Sequence, residues 1–210
     1  MKKIAIFASG RGSNFIAIYK KTITGYIPAE ISLVVSNNPT CGAIDFARNN
    51  AIPTFIFNKT KYPDTNIQNV MLAQILLKSE IDLICLAGYM KMIPENIVVK
   101  YKNRILNIHP SLLPDFGGKG FYGMKVHEAV IQSNAIESGV TVHFVDDKYD
   151  HGPIIIQEKV KVAADDTANV LANKVLILEH NVYPKVVKAF CEDRIIIENN
   201  KPKIEVILEN

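Results

Sequence analysis

Two polar side chains, Asn107 and His109, lie two residues apart at the end of an apolar segment, Ile105 to Ile108. Side chains two apart in an extended strand lie on the same face, so an amide and an imidazole point the same way. Pro110 follows, and because proline fixes φ and lacks an N–H, a central strand cannot continue beyond Ile108. Ligands of open α/β sheets bind at the carboxyl ends of strands, where this pair can donate hydrogen bonds and move protons.

A charged loop downstream supplies a possible partner for the imidazole. Asp146 to Asp150 follow an alternating segment, Val140 to Val145, and precede the turn Gly152-Pro153. The plain interpretation is a solvated loop, with His109 an inert turn histidine. The functional interpretation pairs the Asp150 carboxylate with His109 and expects it to raise the His109 pKa, because a nearby negative charge favours the imidazolium. The same-face Asn107 favours the functional interpretation.

A glycine-rich turn, Gly10 to Asn14, separates an apolar segment from helically spaced apolar residues that end before Gly25. A strand, glycine turn and helix expose backbone N–H groups that can bind phosphate. The dinucleotide fingerprint fails because Phe15 occupies the third glycine position, and no Gly-Lys-Ser/Thr follows to make a P-loop. The pattern favours a phosphomonoester over a dinucleotide, but it fits a tight turn without a ligand equally well.

The composition is that of an ordinary globular chain. Its 210 residues are 48% hydrophobic and 21% charged, with a net charge of +3, which does not suggest a nucleic-acid groove. The three cysteines are far apart and odd in number, which fits a reducing compartment. No apolar run approaches the length of a membrane span or of a typical signal-peptide core. The five histidines lack paired ligand spacing, so no metal is expected.

Strand-like and helix-like segments alternate along most of the chain, which predicts an α/β fold with a Rossmann-like, doubly wound, mostly parallel sheet and helices on both faces. The chain is expected to be one domain, with a phosphate-binding half over residues 1–100 and a catalytic half over 101–210. Predicted strands are 4–8, 31–35, 54–57, 81–87, 105–108, 140–145 and 154–156, with a terminal hairpin of 195–197 and 204–208 joined by 199–202. One predicted helix follows Asn14, and others cover 42–49, 67–78, 94–101 and 125–132, with Asp64 or Thr65 as the cap of 67–78. A long helix is predicted after Asp165-Asp166-Thr167, and Pro184 should kink or break it.

Residues Asn107 to Pro114 resemble the signature Asn-x-His-x-Ser-Leu-Leu-Pro of the folate-dependent formyltransferases, and with Ser9 to Asn14 the resemblance extends over nearly the whole chain. It points to the branch that transfers a formyl group from 10-formyltetrahydrofolate to the amine of 5-phospho-ribosylglycinamide in de novo purine biosynthesis. It implies small-molecule substrates, a folate that is consumed as cosubstrate, a cytoplasmic location, no nucleic-acid or membrane partner, and a monomer or weak homodimer.

The resemblance also assigns residues to roles. The implied catalytic residues are Asn107, His109 and Asp150. The implied ribonucleotide-binding residues are Gly12, Ser13, Asn14, Gly88 and Glu179. Without the resemblance, Glu179 fits a surface carboxylate as well as it fits a ligand-binding residue. The implied folate-binding residues are Met90, Lys91, Met92, Ile93, Asn107, Val145, Asp146 and Asp147. Without the resemblance, Met90 to Ile93 could either pack under the next helix or form a wall for a flat aromatic ligand.

The chain departs from the family pattern at three places. Gly117 to Gly123 form a glycine-rich loop where many members have a shorter loop with a histidine. His151 stands where the usual Asp-Gly-Gly-Pro has glycine, so a second histidine lies next to Asp150, although His109 is favoured as its partner. Thr65 replaces a basic residue expected near the folate glutamate tail. His127, on the helix that follows the glycine-rich loop, is expected to be a surface or packing residue.

Three alternative functions are weighed against this one. A methionyl-tRNA formyltransferase carries a further RNA-binding domain, for which no room is expected after residue 210. A formyltetrahydrofolate hydrolase normally has an extra N-terminal regulatory domain, whereas here the catalytic strand pattern begins at Ile4. A non-catalytic phosphate-binding module would not need Asn107, His109 and Asp150 together.

Overall fold

The computed structural model describes residues 1–199 and 201–205 of the chain. The chain divides into two compact units, Met1–Leu106 and Asn107–Asn210. Seven strands form one sheet in the order β3-β2-β1-β4-β5-β6-β7, and two more form a separate hairpin, β8-β9. The pairings of β1 with β2 and β4, and of β2 with β3, are parallel, whereas β7 is antiparallel to β6. The prediction of an α/β fold with a mostly parallel sheet is confirmed.

The first unit alternates strands and helices. Its elements are β1 (Lys2–Phe7), α1 (Ser13–Ile23), β2 (Ala29–Ser36), α2 (Gly42–Asn49), β3 (Thr54–Ile56), α3 (Thr65–Lys78), β4 (Leu83–Leu86) and α4 (Glu95–Lys100). Each lies within a few residues of its prediction, and α2 has the predicted bounds. Ile4, Ile6 and Phe7 of β1 are fully buried, as expected for a central parallel strand with both faces covered. Asp64 caps α3, since its carboxylate accepts hydrogen bonds from the backbone N–H groups of Asn66 and Ile67.

The second unit begins within β5. Its elements are β5 (Ile105–His109), α5 (Met124–Gln132), β6 (Glu137–Phe144), β7 (Ile154–Lys161), α6 (Ala168–Cys191), β8 (Ile195–Glu198) and β9 (Lys201–Ile204). As predicted, β5 stops where Pro110 removes the next donor, although His109 still belongs to the strand. The buried Thr141 of β6 fixes the turn that follows β5. Its hydroxyl donates to the carbonyl of Ser111 (2.7 Å) and accepts from the N–H of Leu113 (3.0 Å).

Three predictions in the second unit differ from the structure. Of the kink or break predicted at Pro184, the break is wrong, because the helix continues to Cys191. Proline in a helix interior costs about 3 kcal/mol, and the burial of Tyr183, Pro184, Val186 and Val187 on this helix offsets that cost. The strand predicted at 154–156 extends to Lys161. The final strand is Lys201–Ile204 instead of 204–208, paired so that Glu198 faces Lys201. Residues 206–208 of the predicted strand, and Asn200 of the predicted turn, lie outside the described residues.

No helix in the described part of the chain is long and apolar enough to cross a membrane.

Candidate active site

Asn107, His109 and Asp150, the three residues predicted to carry chemistry, lie together in the second unit. The Asn107 amide nitrogen is 3.2 Å from Asp150 Oδ1, and His109 Nδ1 is 3.5 Å from Asp150 Oδ2. The N–H of Gly118 donates to the same Oδ2 at 2.9 Å. Only 5% of the His109 side chain and 11% of the Asp150 side chain are exposed. The strand-end pair and the charged loop therefore form one largely buried polar cluster.

A fourth member of this cluster, His143, was missed in the sequence. Its Nε2 lies 3.1 Å from the Asn107 amide nitrogen and 3.8 Å from Asp150 Oδ1. Its Nδ1 lies 2.7 Å from the carbonyl of Phe144, which can only accept, so Nδ1 carries a hydrogen and Nε2 of the neutral ring accepts from Asn107. Thr141 and His143, polar and two apart on a strand, were the available signal, because such residues share a face.

Both amide hydrogens of Asn107 are directed into the protein. One is donated to the Asp150 carboxylate and the other to His143. The reverse orientation of the amide would place its oxygen against the carboxylate, which is repulsive. A ligand must therefore displace one of these two acceptors before Asn107 can donate a hydrogen bond to it. Both distances exceed 3.0 Å, which indicates bonds of ordinary or modest strength.

The His109 ring is enclosed from two sides. Its Nε2 donates to the backbone carbonyl of Phe116 at 2.8 Å, while Nδ1 faces Asp150. Burial lowers the pKa of His109 below its ordinary value, and this effect exceeds the opposing effects of the Asp150 charge and the Phe116 hydrogen bond. The expectation that Asp150 raises the His109 pKa is therefore correct for the direction of that one interaction and wrong for the net result.

Asp150 remains a carboxylate in spite of its surroundings. Burial raises its pKa, but the neighbouring His143 and His109 and the N–H of Gly118 together lower the pKa below its ordinary value. The residue has a positive φ of 51°, a conformation that costs energy for a residue with a Cβ. The site thus holds a negative charge at a strained position between two histidines.

The glycine-rich loop of Gly117 to Gly123 lies against this cluster. Phe116, just before it, supplies the carbonyl on His109, and Gly118 supplies the N–H on Asp150. Phe116 has a φ of 54°, which is unusual for a bulky residue. A Cβ added to Gly117 would lie 2.3 Å from a methyl carbon of Leu113, so any other residue there would require the Leu113 side chain to move.

The second histidine that the sequence placed next to Asp150 has a different partner. His151 Nδ1 lies 2.6 Å from Asp146 Oδ2, and the other oxygen of Asp146 accepts from the N–H of Lys148 at 2.9 Å. Val145 and Asp146 are half-buried and Asp147 is exposed. His151 therefore closes the 145–151 loop, and the histidines that face Asp150 are His109 and His143.

In the first unit, the turn that precedes α1 has the predicted geometry for a helix N-terminus open to a ligand. Gly12 has a φ of 79°, and no side chain caps the helix. Ser13 is half-buried and Asn14 is buried. A Cβ added to Gly12 would lie 2.9 Å from the Cβ of Ala43, so this glycine is required by the packing of the turn against α2 whether or not a phosphate binds.

The 88–93 loop of the first unit is mostly exposed, with Tyr89 half-buried and Ile93 buried. Gly88 has a φ of 75°, and Tyr89 packs edge-on against Phe7 with ring centroids 5.3 Å apart. Met90 and Met92 are nearly half exposed, at 46% and 47%. Lys91 is exposed, whereas Ile93 is buried. The loop therefore offers two methionine side chains to a ligand and uses Ile93 for packing.

The remaining predicted positions lie on helices. Glu179 is a buried carboxylate on α6, and Thr65 is an exposed residue at the start of α3. His127 is buried on α5, and no described residue bonds its Nδ1, so of the two expectations packing is correct. The described residues include no group of three His, Cys, Asp or Glu side chains arranged to hold a metal ion.

Comparison with known proteins gives a consistent result. Residues 2–187 match the family described as formyl transferase. A protein of Vigna unguiculata named phosphoribosylglycinamide formyltransferase, chloroplastic, is 48% identical over 93% of this chain, which spans only 62% of that relative's length. The phosphoribosylglycinamide formyltransferase of Bacillus subtilis is 37% identical over 90% of this chain and 94% of its own. The crystal structure of glycinamide ribonucleotide transformylase 1 from Symbiobacterium toebii has a TM-score of 0.89 at 34% identity, covering 97% of this chain and 94% of its own.

Proposed function

The chain belongs to the formyl transferase family, and we propose that it transfers a formyl group from 10-formyltetrahydrofolate to the amine of 5-phospho-ribosylglycinamide, a step of de novo purine biosynthesis. The observation that carries this proposal is the buried cluster of Asn107, His109 and Asp150, which unites an amide, an imidazole and a carboxylate. Relatives with this activity in their names match at least nine tenths of the chain.

The reaction moves an acyl group between two nitrogen atoms. The neutral amine attacks the formyl carbon, and negative charge develops on the formyl oxygen. As the intermediate collapses, the bond from carbon to the folate N10 breaks, the amine nitrogen loses a proton and N10 gains one. The site must therefore stabilise an oxyanion and move one proton, and preorganised donors in a site that excludes water do this best.

His109 is suited to both tasks. In the described structure Nε2 donates to the Phe116 carbonyl, so a substrate reaches it only after that carbonyl withdraws. The neutral ring can then carry its hydrogen on Nδ1, which faces Asp150, and accept a proton from the attacking amine at Nε2. Burial favours this neutral form because it lowers the pKa of His109. Once protonated, the ring can donate a hydrogen bond to the oxyanion and return the proton to N10, while the Asp150 carboxylate stabilises the imidazolium.

Asn107 would donate the second hydrogen bond to the developing oxyanion. To do so it must release either Asp150 or His143, its two present acceptors. Release of His143 is the less costly choice, because a charged acceptor binds an amide more strongly than a neutral ring nitrogen does. His143 then acts as a placeholder that keeps the Asn107 amide oriented between turnovers.

We assign the phosphate of the ribonucleotide to the turn at Gly12, Ser13 and Asn14. The support is an uncapped helix N-terminus, whose N–H groups and dipole favour an anion. Gly88 and Glu179 complete the set proposed for this substrate. A carboxylate such as Glu179 suits ribose hydroxyls, which are hydrogen-bond donors.

We assign the folate to two loops. In the first unit the exposed side chains of Met90 and Met92 suit the faces of an aromatic ring. Lys91 and Ile93, their neighbours in this loop, are proposed to contact the folate through their backbone. In the second unit Val145, Asp146 and Asp147 are the proposed contacts, on the loop closed by His151. The folate is consumed as a cosubstrate.

One assay separates this function from its rivals. Glycinamide ribonucleotide and 10-formyltetrahydrofolate are mixed with the protein, and the formylated amide, tetrahydrofolate and formate are each quantified. We expect equal amounts of formylated amide and tetrahydrofolate, both formed roughly 10²-fold or more slowly with His109→Ala. Formate formed without the ribonucleotide would indicate a hydrolase, and product only with methionyl-tRNA as acceptor would indicate a tRNA formyltransferase. Phosphate binding with no turnover would indicate a non-catalytic phosphate-binding module.

We further propose a reducing compartment such as the cytoplasm, and a monomer or weak homodimer. The three cysteines are buried and are not joined in a disulfide, and such thiols persist where disulfides do not form. Sedimentation of the protein at several concentrations would measure its association.

A further inference from the structure

Ser9 makes three hydrogen bonds at the end of β1. Its backbone N–H donates to the carbonyl of Gly88 at 3.1 Å. Its hydroxyl oxygen accepts from the N–H of Met90 at 2.9 Å and donates to the amide oxygen of Asn37 at 2.5 Å. One residue therefore binds the 88–93 loop twice, through its backbone and through its side chain.

The direction of each bond in this arrangement is determined. A serine hydroxyl has a single hydrogen, and it is donated to Asn37, because a backbone N–H such as that of Met90 cannot accept it. Asn37 is fixed in turn, since its backbone carbonyl accepts from the amide of Asn58 at 3.0 Å. Ser9, Asn37 and Asn58 follow β1, β2 and β3, so this chain of bonds runs across the carboxyl ends of three parallel strands.

We propose that Ser9 is a positioning residue that holds the 88–93 loop in the form that receives the folate, and that it links this loop to the phosphate-binding turn. The inference rests on the proposed function, which assigns the loop to the folate and the turn to the ribonucleotide. Ser9 immediately precedes Gly10, the first residue of that turn, so the turn and the loop share one anchor. Met90, whose N–H bonds the Ser9 hydroxyl, and Met92 are the nearly half-exposed side chains of this loop.

The test uses three variants and a binding measurement that does not depend on turnover. Ser9→Ala removes the hydroxyl, so the N–H of Met90 loses its acceptor. Ser9→Thr restores a hydroxyl at the same position. Ser32→Ala is the matched control, because the Ser32 hydroxyl on β2 is buried and has no partner among the described residues. The dissociation constant of tetrahydrofolate is measured by calorimetry, and kcat and both KM values are measured in the formyl-transfer assay.

We expect Ser9→Ala to raise both the Kd for tetrahydrofolate and the KM for the formyl donor by roughly threefold to tenfold, as the loss of one hydrogen bond predicts. The value of kcat should change by less than about threefold, since Ser9 touches no reacting atom. Ser9→Thr should recover most of the affinity, and Ser32→Ala should match the unsubstituted protein.

Three results would overturn the inference. They are an unchanged folate affinity in a folded Ser9→Ala variant, an equal loss in Ser9→Ala and Ser9→Thr, and an equal loss in Ser32→Ala. Failure of the proposed function is a separate observation, since it requires that the unsubstituted protein neither binds tetrahydrofolate nor forms the formylated amide. If the unsubstituted protein is active and Ser9→Ala binds tetrahydrofolate as tightly as Ser32→Ala does, the proposed function stands and the positioning role of Ser9 is rejected.

Discussion

At the scale of single residues, Asn107 and His109 are expected to act on the same developing charge. Asn107→Ala and His109→Ala should each lower kcat by roughly 10²-fold or more and change either KM far less, because both act in the transition state. The double variant should lose little more than the worse single variant, since groups that act as a unit are not additive. Steady-state kinetics on the three variants provide the measurement. Two additive losses confined to KM would mean that the pair only binds substrate.

Asp150 is proposed to affect the rate through the protonation of His109. Asp150→Asn keeps the shape but removes the charge that opposes the effect of burial, so the pKa of His109 should fall further below its ordinary value. An imidazolium exists below its pKa and is lost above it, so the activity that depends on it should shift to lower pH. The rate at neutral pH should fall by roughly 10²- to 10⁴-fold. The pH profile of kcat and the NMR titration of the His109 ring measure both effects. A normal rate with an unchanged His109 pKa would show that Asp150 is a loop residue without a role in the reaction.

His127 makes a separate prediction about stability. Burial, with a smaller contribution from the nearby His109, lowers the pKa of His127 from 6.5 to about 4. Between these values the unfolded chain binds more protons, so the free energy of unfolding should fall as the pH is lowered through this window, by up to about 1.4 kcal/mol per pH unit. His127→Gln should show a shallower decline. Urea unfolding of both proteins at several pH values measures the difference, and parallel curves would contradict the assignment.

At the scale of elements, the turn before α1 needs a different probe from the one that the sequence suggests. Gly12→Val is the obvious test of phosphate binding, but a Cβ at Gly12 meets Ala43, so that change would disturb the fold itself. Ser13→Ala alters the first turn of α1 without this clash. We expect it to raise the KM for the ribonucleotide severalfold and to leave the KM for the folate unchanged, because only one substrate carries the phosphate. Inorganic phosphate should compete with the ribonucleotide alone, and competition with the folate would remove this role from the turn.

The elements that the sequence predicted well are those with local signals. The helix over 42–49 and the cap at Asp64 follow from spacing and from a side chain that bonds its own helix. Long-range contacts decided the others. Continuation of α6 through Pro184 depends on burial that no local pattern shows, and the pairing of β9 depends on its partner strand.

The same distinction applies to the site. Asn107 and His109 are two residues apart, and their shared face could be inferred from a strand. The contact of the Phe116 carbonyl with His109 could not be inferred, because it depends on the path of an irregular loop. His143 carried only a weak signal, since Thr141 and His143 share a face of β6 but this spacing alone does not separate packing from function.

At the scale of the whole molecule, the buried cysteines can report how the chain opens. Cys41 and Cys85 lie in the first unit and Cys191 in the second, and all three are buried thiols outside any disulfide. We expect each thiol to react with a thiol reagent at least about 10³-fold more slowly in the native protein than in denaturant, with Cys85, which is 0% exposed, the slowest. Mass spectrometry of labelled peptides measures the three rates separately. Rapid native labelling of Cys85 would show that β4 opens locally.

The carbonyl of Phe116 acts on His109 as a tethered competitor. Because it is attached to the same chain, it is present at a fixed effective concentration, commonly millimolar for a short link, and dilution cannot remove it. Under the proposed function the formyl donor must displace it, and the apparent affinity is the intrinsic affinity multiplied by the fraction of molecules in which the loop has withdrawn. Inhibitors of the site fall into two classes on this basis. A compound that binds beside Phe116 avoids this competition, whereas one that reaches Nε2 of His109 must overcome it.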